Sequence, residues 1–297
     1  LDATVSAVIA TYESREYAPK AVESALSQSV APLDVVVVDD GSTDGTVDAL
    51  APYRECIRYV RQDNRGQAAA RNVGAAEAAG EWLAFLDADD AWEPERISTL
   101  LEFAGEREAA SAYTTAARVM RADGSMSTTV LRCSSPDGVM TATDFLDQDK
   151  GSINGSSVMV RREIFESAGG FDETLRSAED VDLWLRLTRT GPIVMHPEPL
   201  LLYRTHGKKI SGNRLRDAQN WLRLLAKLEE ERPEFVDENR RLFARCRAMQ
   251  HLRTGRGLLQ DGGEGAVVQA REHLKEARRT LPFHPRVWRY LLTSYLR

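Results

Sequence analysis

Residues Glu81–Pro94 read Glu-Trp-Leu-Ala-Phe-Leu-Asp-Ala-Asp-Asp-Ala-Trp-Glu-Pro, and the reading of this stretch decides the fold. Trp82–Leu86 is a short apolar run bounded by polar residues, the pattern of a strand in a sheet core. A buried helix segment can show the same run, but the length favours the strand. Three carboxylates, Asp87, Asp89 and Asp90, then fall where the chain leaves the sheet, the end at which open α/β sheets bind ligands. Carboxylates crowded in this way repel one another unless a cation neutralises them. Hard cations take oxygen ligands, commonly one or two carboxylates plus substrate phosphates, so Asp-x-Asp points to a metal that holds a diphosphate. An acidic turn without a metal accounts for the same residues, so the neighbours must decide.

Working outward, the amino-terminal side alternates strands and helices. Val5–Ala10 reads as a strand, Tyr17–Gln28 as a helix with Ala21, Val22, Ala25 and Leu26 at helical spacing, and Leu33–Val38 as a β-branched central strand. The loop Asp39-Asp40-Gly41-Ser42-Thr43-Asp44-Gly45 is rich in turn formers and can cap a helix that begins near Thr46. A strand at Ile57–Arg61 and a helix at Gln67–Ala79, stopped by Gly80, complete a β-α-β-α-β-α-β order. That order predicts an α/β fold with right-handed crossovers and a mostly parallel sheet. It also brings the loops after the first, second and fourth strands to one edge. Neither GxGxxG after the first strand nor GxxxxGK[ST] anywhere is present, so the phosphate cradles of a dinucleotide fold and a P-loop are missing.

Four blocks occur in order at this point: Val-Ser-Ala-Val-Ile-Ala-Thr-Tyr at 5–12, Val-Val-Val-Val-Asp-Asp-Gly-Ser-Thr-Asp-Gly-Thr at 35–46, Asn-Arg-Gly-Gln-Ala-Ala-Ala-Arg-Asn-Val-Gly at 64–74, and Phe-Leu-Asp-Ala-Asp-Asp at 85–90. Together they resemble the family 2 glycosyltransferases of the GT-A fold. The resemblance implies a nucleotide-sugar site, with Ala10, Thr11 and Tyr12 near the nucleoside and Asp40 accepting a hydrogen bond from the base. Glu13 stands where such proteins often carry Asn, which leaves its role open. Arg65 and Arg71 are candidates to lie near base or diphosphate, and Arg65 is read equally well as a helix-surface residue. Asn72 would brace the loop. Asp87 and Ala88 would lie by the donor ribose or sugar, and Asp89 and Asp90 would contact Mn²⁺ or Mg²⁺. A carboxylate that takes an N–H from the base suits the pyrimidine of UDP or dTDP, while GDP stays open.

Further along, Pro94–Glu106 is expected as a core-facing helix, Ala112–Met120 as a strand before a hairpin turn at 121–125, and Thr143–Asp149 as a short helix. Ile153–Val160 reads as a strand, Arg162–Ala168 as a helix and Ile193–Met195 as a strand. Gly169–Glu173 resembles the family's Gly-Gly-Phe-Asp turn. The helix opened by Ser177-Ala178-Glu179-Asp180-Val181-Asp182 carries three acids in its first turn, which capping alone can explain. Glycosyl transfer with inversion needs one carboxylate to take the acceptor hydroxyl proton. The Glu-Asp pair resembles the family's catalytic pair, with Asp180 as the base and Glu179 as the second candidate. Asp182, two residues on, is read as structural. Tyr203-Arg204-Thr205-His206 resembles the family's closing segment, which makes His206 a third metal ligand, Arg204 and Lys208 phosphate contacts and Ser211 a helix cap. A surface histidine is the competing reading of His206.

With 297 residues and 42% hydrophobic content the chain can bury a sizeable core. Residues 1–214 hold 22 Lys/Arg against 34 Asp/Glu, while 215–297 hold 17 against 11, so a domain of net charge −12 precedes a tail of +6. An acidic domain argues against a nucleic-acid partner, and the basic tail suits either a solvated helix face or an anionic membrane surface. Cys56, Cys133 and Cys246 fit neither a disulfide framework nor a zinc spacing. No run approaches the ~20 apolar residues of a membrane span, and the first twenty residues lack a signal pattern. The expectation is a cytoplasmic domain, with the inner face of a membrane as a site of peripheral attachment. Leu1 in place of Met leaves room for segments outside this sequence.

The resulting scheme is a catalytic domain at 1–214 and a helical extension at 215–297, with helices from Leu215 and at about 237–259, 265–280 and 285–296, one hairpin of which suggests a tetratricopeptide unit. Its partners would be a nucleoside-diphosphate sugar and a hydroxyl acceptor, saccharide or lipid-linked. Two other readings compete: a non-catalytic scaffold that binds partners through its tail, and a phosphatase that uses Asp87-Ala-Asp89 as nucleophile. The fourth-strand position and Ala91 disfavour the phosphatase.

Overall fold

The computed structural model describes residues 3–147, 153–206, 214–262 and 265–296, and these divide into two compact units. The first takes the described residues of Leu1–Phe145, Asp149–Thr174 and Glu179–His206; the second takes those of Leu146–Gln148, Leu175–Ala178 and Gly207–Arg297.

The first unit begins with β1 (Val5–Thr11), α1 (Ala18–Leu26), β2 (Asp34–Asp39), α2 (Thr46–Ala49), β3 (Arg58–Arg61), α3 (Gln67–Glu77) and β4 (Trp82–Asp87). Strands β1 to β4 are mutually parallel in the order β3-β2-β1-β4, so the order reverses beside β1, the kind of position at which open α/β sheets bind ligands. Register brings the strand ends level, with Thr11 beside Asp39 and Ala10 beside Asp87. The period-2 alternation of β1 explains how both faces are covered. Val5, Ala7 and Ile9 join Ala18, Ala21, Val22 and Ala25 of α1 in one core, while Val8 on the opposite face meets α3 at Gly74. Small residues on both helices allow them to lie close to the sheet.

The chain continues through β5 (Ala91–Trp92), α4 (Arg96–Glu106), β6 (Ala112–Arg121), β7 (Met126–Leu131), β8 (Val139–Met140), α5 (Ala142–Leu146), β9 (Met159–Arg161), α6 (Arg162–Ser167), α7 (Glu179–Leu187) and β10 (Ile193–Thr205). The full sheet runs β3-β2-β1-β4-β9-β6-β10-β5, with β9 antiparallel to β4 and β6, and β10 parallel to β6. It is a mixed sheet.

Two elements differ from the sequence reading. The strand expected at 153–160 shortens to β9, because Asn154 Oδ1 accepts the Ser156 N–H at 2.7 Å and winds Gly155–Ser157 into a 3-10 turn. The short strand at 193–195 instead runs to Thr205 as one 13-residue element. Pro197 and Pro199, which cannot donate to a ladder, sit where the β10–β6 register shifts between His196 and Leu201, so the strand passes them without losing its pairing. The end of the helix expected at 143–149 lies outside the described residues, as do Lys208 and Ser211.

In the second unit, α8 (Arg214–Glu231), α9 (Pro233–Glu238), α10 (Arg240–Asp261), α11 (Ala266–Thr280) and α12 (Pro285–Leu296) are all helical. Leu252, Leu258 and Leu259 of α10 pack with Ala270, Leu274 and Ala277 of α11 and with Val287 and Leu291 of α12. Gly255 gives α11 room, since a Cβ there would lie 2.7 Å from Leu274 Cγ. Trp288, Leu292, Tyr295 and Leu296 stay exposed along α12. Among the described residues no helix is long and apolar enough to cross a membrane.

Gly80 separates α3 from β4, where its N–H bonds Ser6 Oγ at 2.7 Å and an added Cβ would lie 2.7 Å from Ser6 N. Gly80→Ala is expected to destabilise by about 1–3 kcal/mol. Gly105→Ala in α4, where nothing lies within 4 Å, is expected to stabilise by about 0.4–1 kcal/mol. Urea unfolding of the two variants, in parallel with the parent chain, reads both signs.

Candidate active site

The carboxyl ends of β1, β2 and β4 carry the first group of residues. Asp39 is fully buried; its Oδ1 accepts Ser42 N at 2.9 Å and its Oδ2 accepts the Tyr59 hydroxyl at 2.6 Å. Burial, helped by that carboxylate, pushes the Tyr59 hydroxyl up to about 12. Asp39 therefore braces the loop. Asp40 accepts Gln62 Nε2 at 2.7 Å and Arg65 N at 2.8 Å on Oδ1, and Gly66 N at 2.8 Å on Oδ2. Its carboxylate ties the 62–66 loop to β2.

Beside it, Glu13 adopts φ 48° and accepts Thr43 N at 2.7 Å and Thr43 Oγ1 at 3.0 Å. Ser14 N and Arg15 N donate to Thr46 Oγ1 and Asp44 Oδ2. Glu13 thus holds the two loops together, a role the sequence left open. Ala10 and Thr11 are buried and Tyr12 is exposed; Thr11 Oγ1 has no hydrogen-bond partner among the described residues. Arg65 extends along the surface to Glu173 at 2.8 Å.

Arg71 is the centre of the second group. It projects from the Ala-rich α3 as a buried guanidinium whose Nη2 bonds Asp87 Oδ1 at 2.7 Å and whose Nη1 reaches Glu179 Oε1 at 3.2 Å. Burial opposes its charge, but Asp87 and Glu179 outweigh burial and raise its pKa. Gln67 Nε2 shares Asp87 Oδ1 at 2.7 Å, and the Phe171 ring lies 5.1 Å beneath the guanidinium. Arg71 is engaged with these two carboxylates, where the sequence placed it near a base or diphosphate.

Glu179 and Asp180 occupy the first turn of α7. Burial raises the Glu179 carboxyl to about 7, with Asp180 acting in the same sense and Arg71 opposing. Burial raises half-buried Asp180 too, against the pull of Arg71. Asp182 turns away and grips Arg186 Nε at 2.9 Å, while Arg186 Nη1 holds the carbonyl of Gly170. Asn72 bonds Phe171 at both N and O, which fixes the 169–173 turn below the site.

The three acids after β4 take different positions. Their carboxylate oxygens come within 4.8 Å of one another. Ala88 between them is buried. Asp90 is 1% exposed; its Oδ2 accepts Ser156 Oγ at 2.7 Å and its Oδ1 accepts Arg204 N at 2.9 Å. Both oxygens thus join β10 and the 155–157 turn to the end of β4, and Asp90 stays within the cluster of acids that could hold a cation. Asp89 is more open, and His206 Nε2 lies 2.8 Å from its Oδ2. Tyr17 backs this contact, with its ring 5.0 Å from that of His206 and 4.9 Å from the Arg204 guanidinium carbon. Arg204 Nε bonds the Asp89 carbonyl, and its buried Nη1 has no hydrogen-bond partner among the described residues.

The structure therefore joins Arg71, Asp87 and Glu179 in one network, with Asp180 acting on it electrostatically, and joins Asp89 to His206. Arg65 stays at the rim. The sequence reading missed Gln67, Tyr17 and Ser156. Ser156 accepts Asp87 N at 3.0 Å while donating to Asp90. Its signal was the Asn154-Gly155-Ser156-Ser157 run, whose turn chemistry outweighs the apolar residues around it.

With this geometry in hand, comparison with known proteins identifies the class. The profile of Glycosyl transferase family 2 matches residues 6–169. The chain is 32% identical over 222 residues to the putative teichuronic acid biosynthesis glycosyltransferase TuaG of Bacillus subtilis, across 72% of this chain and 84% of that one. The chain belongs to glycosyl transferase family 2. It spans 34% to 41% of the length of three uncharacterized Rickettsia glycosyltransferases that it also matches. Among solved structures, S. aureus TarS 1-349 aligns with TM-score 0.69 at 19% identity, over 94% of this chain and 81% of that one. The mannosyltransferase PcManGT of Pyrobaculum calidifontis, in complex with GDP-Man and Mn²⁺, aligns with TM-score 0.64 at 20% identity, over 100% of this chain and 87% of that one. These two likenesses are of fold, and they make the mixed sheet a GT-A sheet.

Because the folded Glu179 carboxyl sits above its ordinary 4.5, the folded state binds that proton more tightly than the unfolded chain. The stabilisation is complete below the ordinary value and is lost as pH rises through about 7. Stability is expected to fall over that window, and Glu179→Gln, which keeps the shape without the charge, is expected to flatten the fall. Urea midpoints at about pH 5 and about pH 7.5 measure the difference.

Proposed function

We propose that this chain is a metal-dependent, inverting glycosyltransferase that moves a sugar from a nucleoside-diphosphate donor to an acceptor hydroxyl. The observation that carries the reading is the convergence at one sheet edge of Asp89 with His206 and of Arg71 with Asp87 and Glu179, beside Asp180. Relatives in the family and neighbours that bind a nucleotide sugar support it.

The residues fit a divalent ion. Asp89 and His206 already share a 2.8 Å contact, and the carboxylate oxygens around them are hard donors suited to Mn²⁺ or Mg²⁺. Asp89, Asp90 and His206 would hold the ion. When bound, the ion neutralises the charge of the departing diphosphate. Asp180 takes the proton of the acceptor hydroxyl as that oxygen bonds the anomeric carbon; the bond to the diphosphate breaks on the opposite face, so the configuration inverts. Glu179, engaged by Arg71 at 3.2 Å, is the second candidate. Arg71 keeps Asp87 oriented toward the donor ribose or sugar, with Ala88 beside it.

Ala10, Thr11, Tyr12 and Glu13 line the nucleoside end with Asp40, and Arg65 flanks it. UDP or dTDP donors are favoured, with the pyrimidine N–H donating to Asp40; guanine could make the same contact, so GDP stays open. Residues 1–214 carry the activity and 215–297 form a helical extension. The site of action is cytoplasmic, and the basic extension favours peripheral contact with a membrane bearing a lipid-linked acceptor.

Release of nucleoside diphosphate from a panel of UDP-, dTDP- and GDP-sugars, with and without Mn²⁺ or Mg²⁺, tests the proposal. Asp180→Asn is expected to lose about 10²–10⁴-fold in turnover, and Asp89→Ala to lose metal-dependent activity. Full activity in Asp89→Ala would sink the metal assignment. Calorimetry that detects no nucleotide-sugar binding would favour the non-catalytic scaffold.

A further inference from the structure

The chain has five histidines, and two of them meet between α10 and α11, in the second unit and outside the residues assigned above. His251 Nδ1 lies 2.8 Å from His273 Nδ1, with ring centroids 5.0 Å apart and planes inclined by 39°. Both rings are half-buried. Their chain neighbours Leu252 and Leu274 are core residues of this helix pair, so the backbone under each ring is fixed. Two neutral imidazoles can place only one proton on this contact, one Nδ1 donating and the other accepting.

The surroundings keep both rings neutral. Burial depresses both; for His251 the neighbouring His273 ring and Arg247 act in the same direction, and the ring falls to about 4. Glu276 acts on both rings in the opposite sense. Neutral imidazole is the form that ligates metals.

We infer that His251 and His273, with Glu276 one turn along α11, form a binding site for a divalent first-row ion such as Zn²⁺, Co²⁺ or Ni²⁺ that clips α10 to α11. Imidazole nitrogens select these ions over Mg²⁺, which prefers oxygen. Two nitrogens each about 2.0 Å from a tetrahedral ion stand about 3.3 Å apart, so a small rotation of the rings opens the contact enough. His273 and Glu276 are spaced i, i+3, on one helix face. Glu276 now pairs with Arg279, a surface pair of the kind that contributes little and yields readily. Arg247, the cation nearest in effect to His251, is itself paired with Glu229. Water completes the shell. On binding, the ring that carried its proton on Nδ1 moves it to Nε2, so the two histidines release none.

Calorimetric titration of the full-length chain with Zn²⁺ and with Co²⁺ near neutral pH tests the site, and the visible absorption of bound Co²⁺ reports its geometry. Asp89→Ala removes the contact proposed for the reaction and is expected to keep one equivalent of tight Zn²⁺ binding. His251→Gln and His273→Gln, each with unchanged far-ultraviolet circular dichroism, are expected to weaken that equivalent at least tenfold and to abolish the Co²⁺ band; Mg²⁺ is expected to leave no signal there. In the parent chain the same two variants lower the stoichiometry by one, which keeps the test valid should Asp89→Ala fold poorly. Zn²⁺ binding that neither histidine variant weakens, or no Zn²⁺ binding beyond that lost with Asp89, would overturn the assignment and leave a histidine–histidine hydrogen bond.

Discussion

Arg71 is the interaction on which the site depends. Its guanidinium is buried between Asp87 at the end of β4 and Glu179 in the first turn of α7, the latter 108 residues from Arg71 in the chain. Removing one partner from such a buried network typically costs about 3–5 kcal/mol, because the remaining charge is left without compensation. Room for it comes from Gly155, where a Cβ would lie 3.0 Å from Arg71 Nη2. The Phe171 ring beneath adds a cation–π contact. One cation therefore sets the separation of two acidic elements that would otherwise repel, and their chemistry follows from that separation.

The acids after β4 divide by burial. Asp90, closed in by Ser156 and the Arg204 amide, is bound on both oxygens and acts as a joint between three elements. Asp89, one residue earlier, keeps an open face toward His206. Asp87 points back to Arg71 and Gln67. Three identical side chains within four positions thus have three environments, set by what each meets across the sheet.

That distinction explains what was legible in the sequence. The alternation of strands and helices through β4, the parallel order and the edge where the loops converge follow from local patterns, because apolar period and turn chemistry are local. The Asp-x-Asp and Glu-Asp pairs were found by their residue types. The partners of these residues were harder to read. Arg71 was found by resemblance as a base or diphosphate contact, but its burial between Asp87 and Glu179 depends on a partner 108 residues away. Asp40 looked like a ligand group and the role of Glu13 was open, whereas the oxygens of both also serve the loops beside them. Ser156 was hidden in an apolar context whose Asn-Gly start sets a turn, and β10 was read only over Ile193–Met195, short of the pairing that carries it past Pro197 and Pro199.

The irregular stretch of β10 has a consequence of its own. Between His196 and Leu201 this strand advances five residues while β6 advances two, from Thr115 to Ala117. Had the pairing of His196 with Thr115 continued without slip, Leu201 would stand opposite Met120, in the place Arg204 holds, and the amide offered to Asp90 would belong to a core leucine. The three surplus residues are a spacer that chooses which part of the strand arrives at the catalytic edge while the sheet beneath stays as it is. Diversification here need not proceed by substitution: lengthening or shortening the Pro197–Leu200 spacer would deliver a different side chain to the same address.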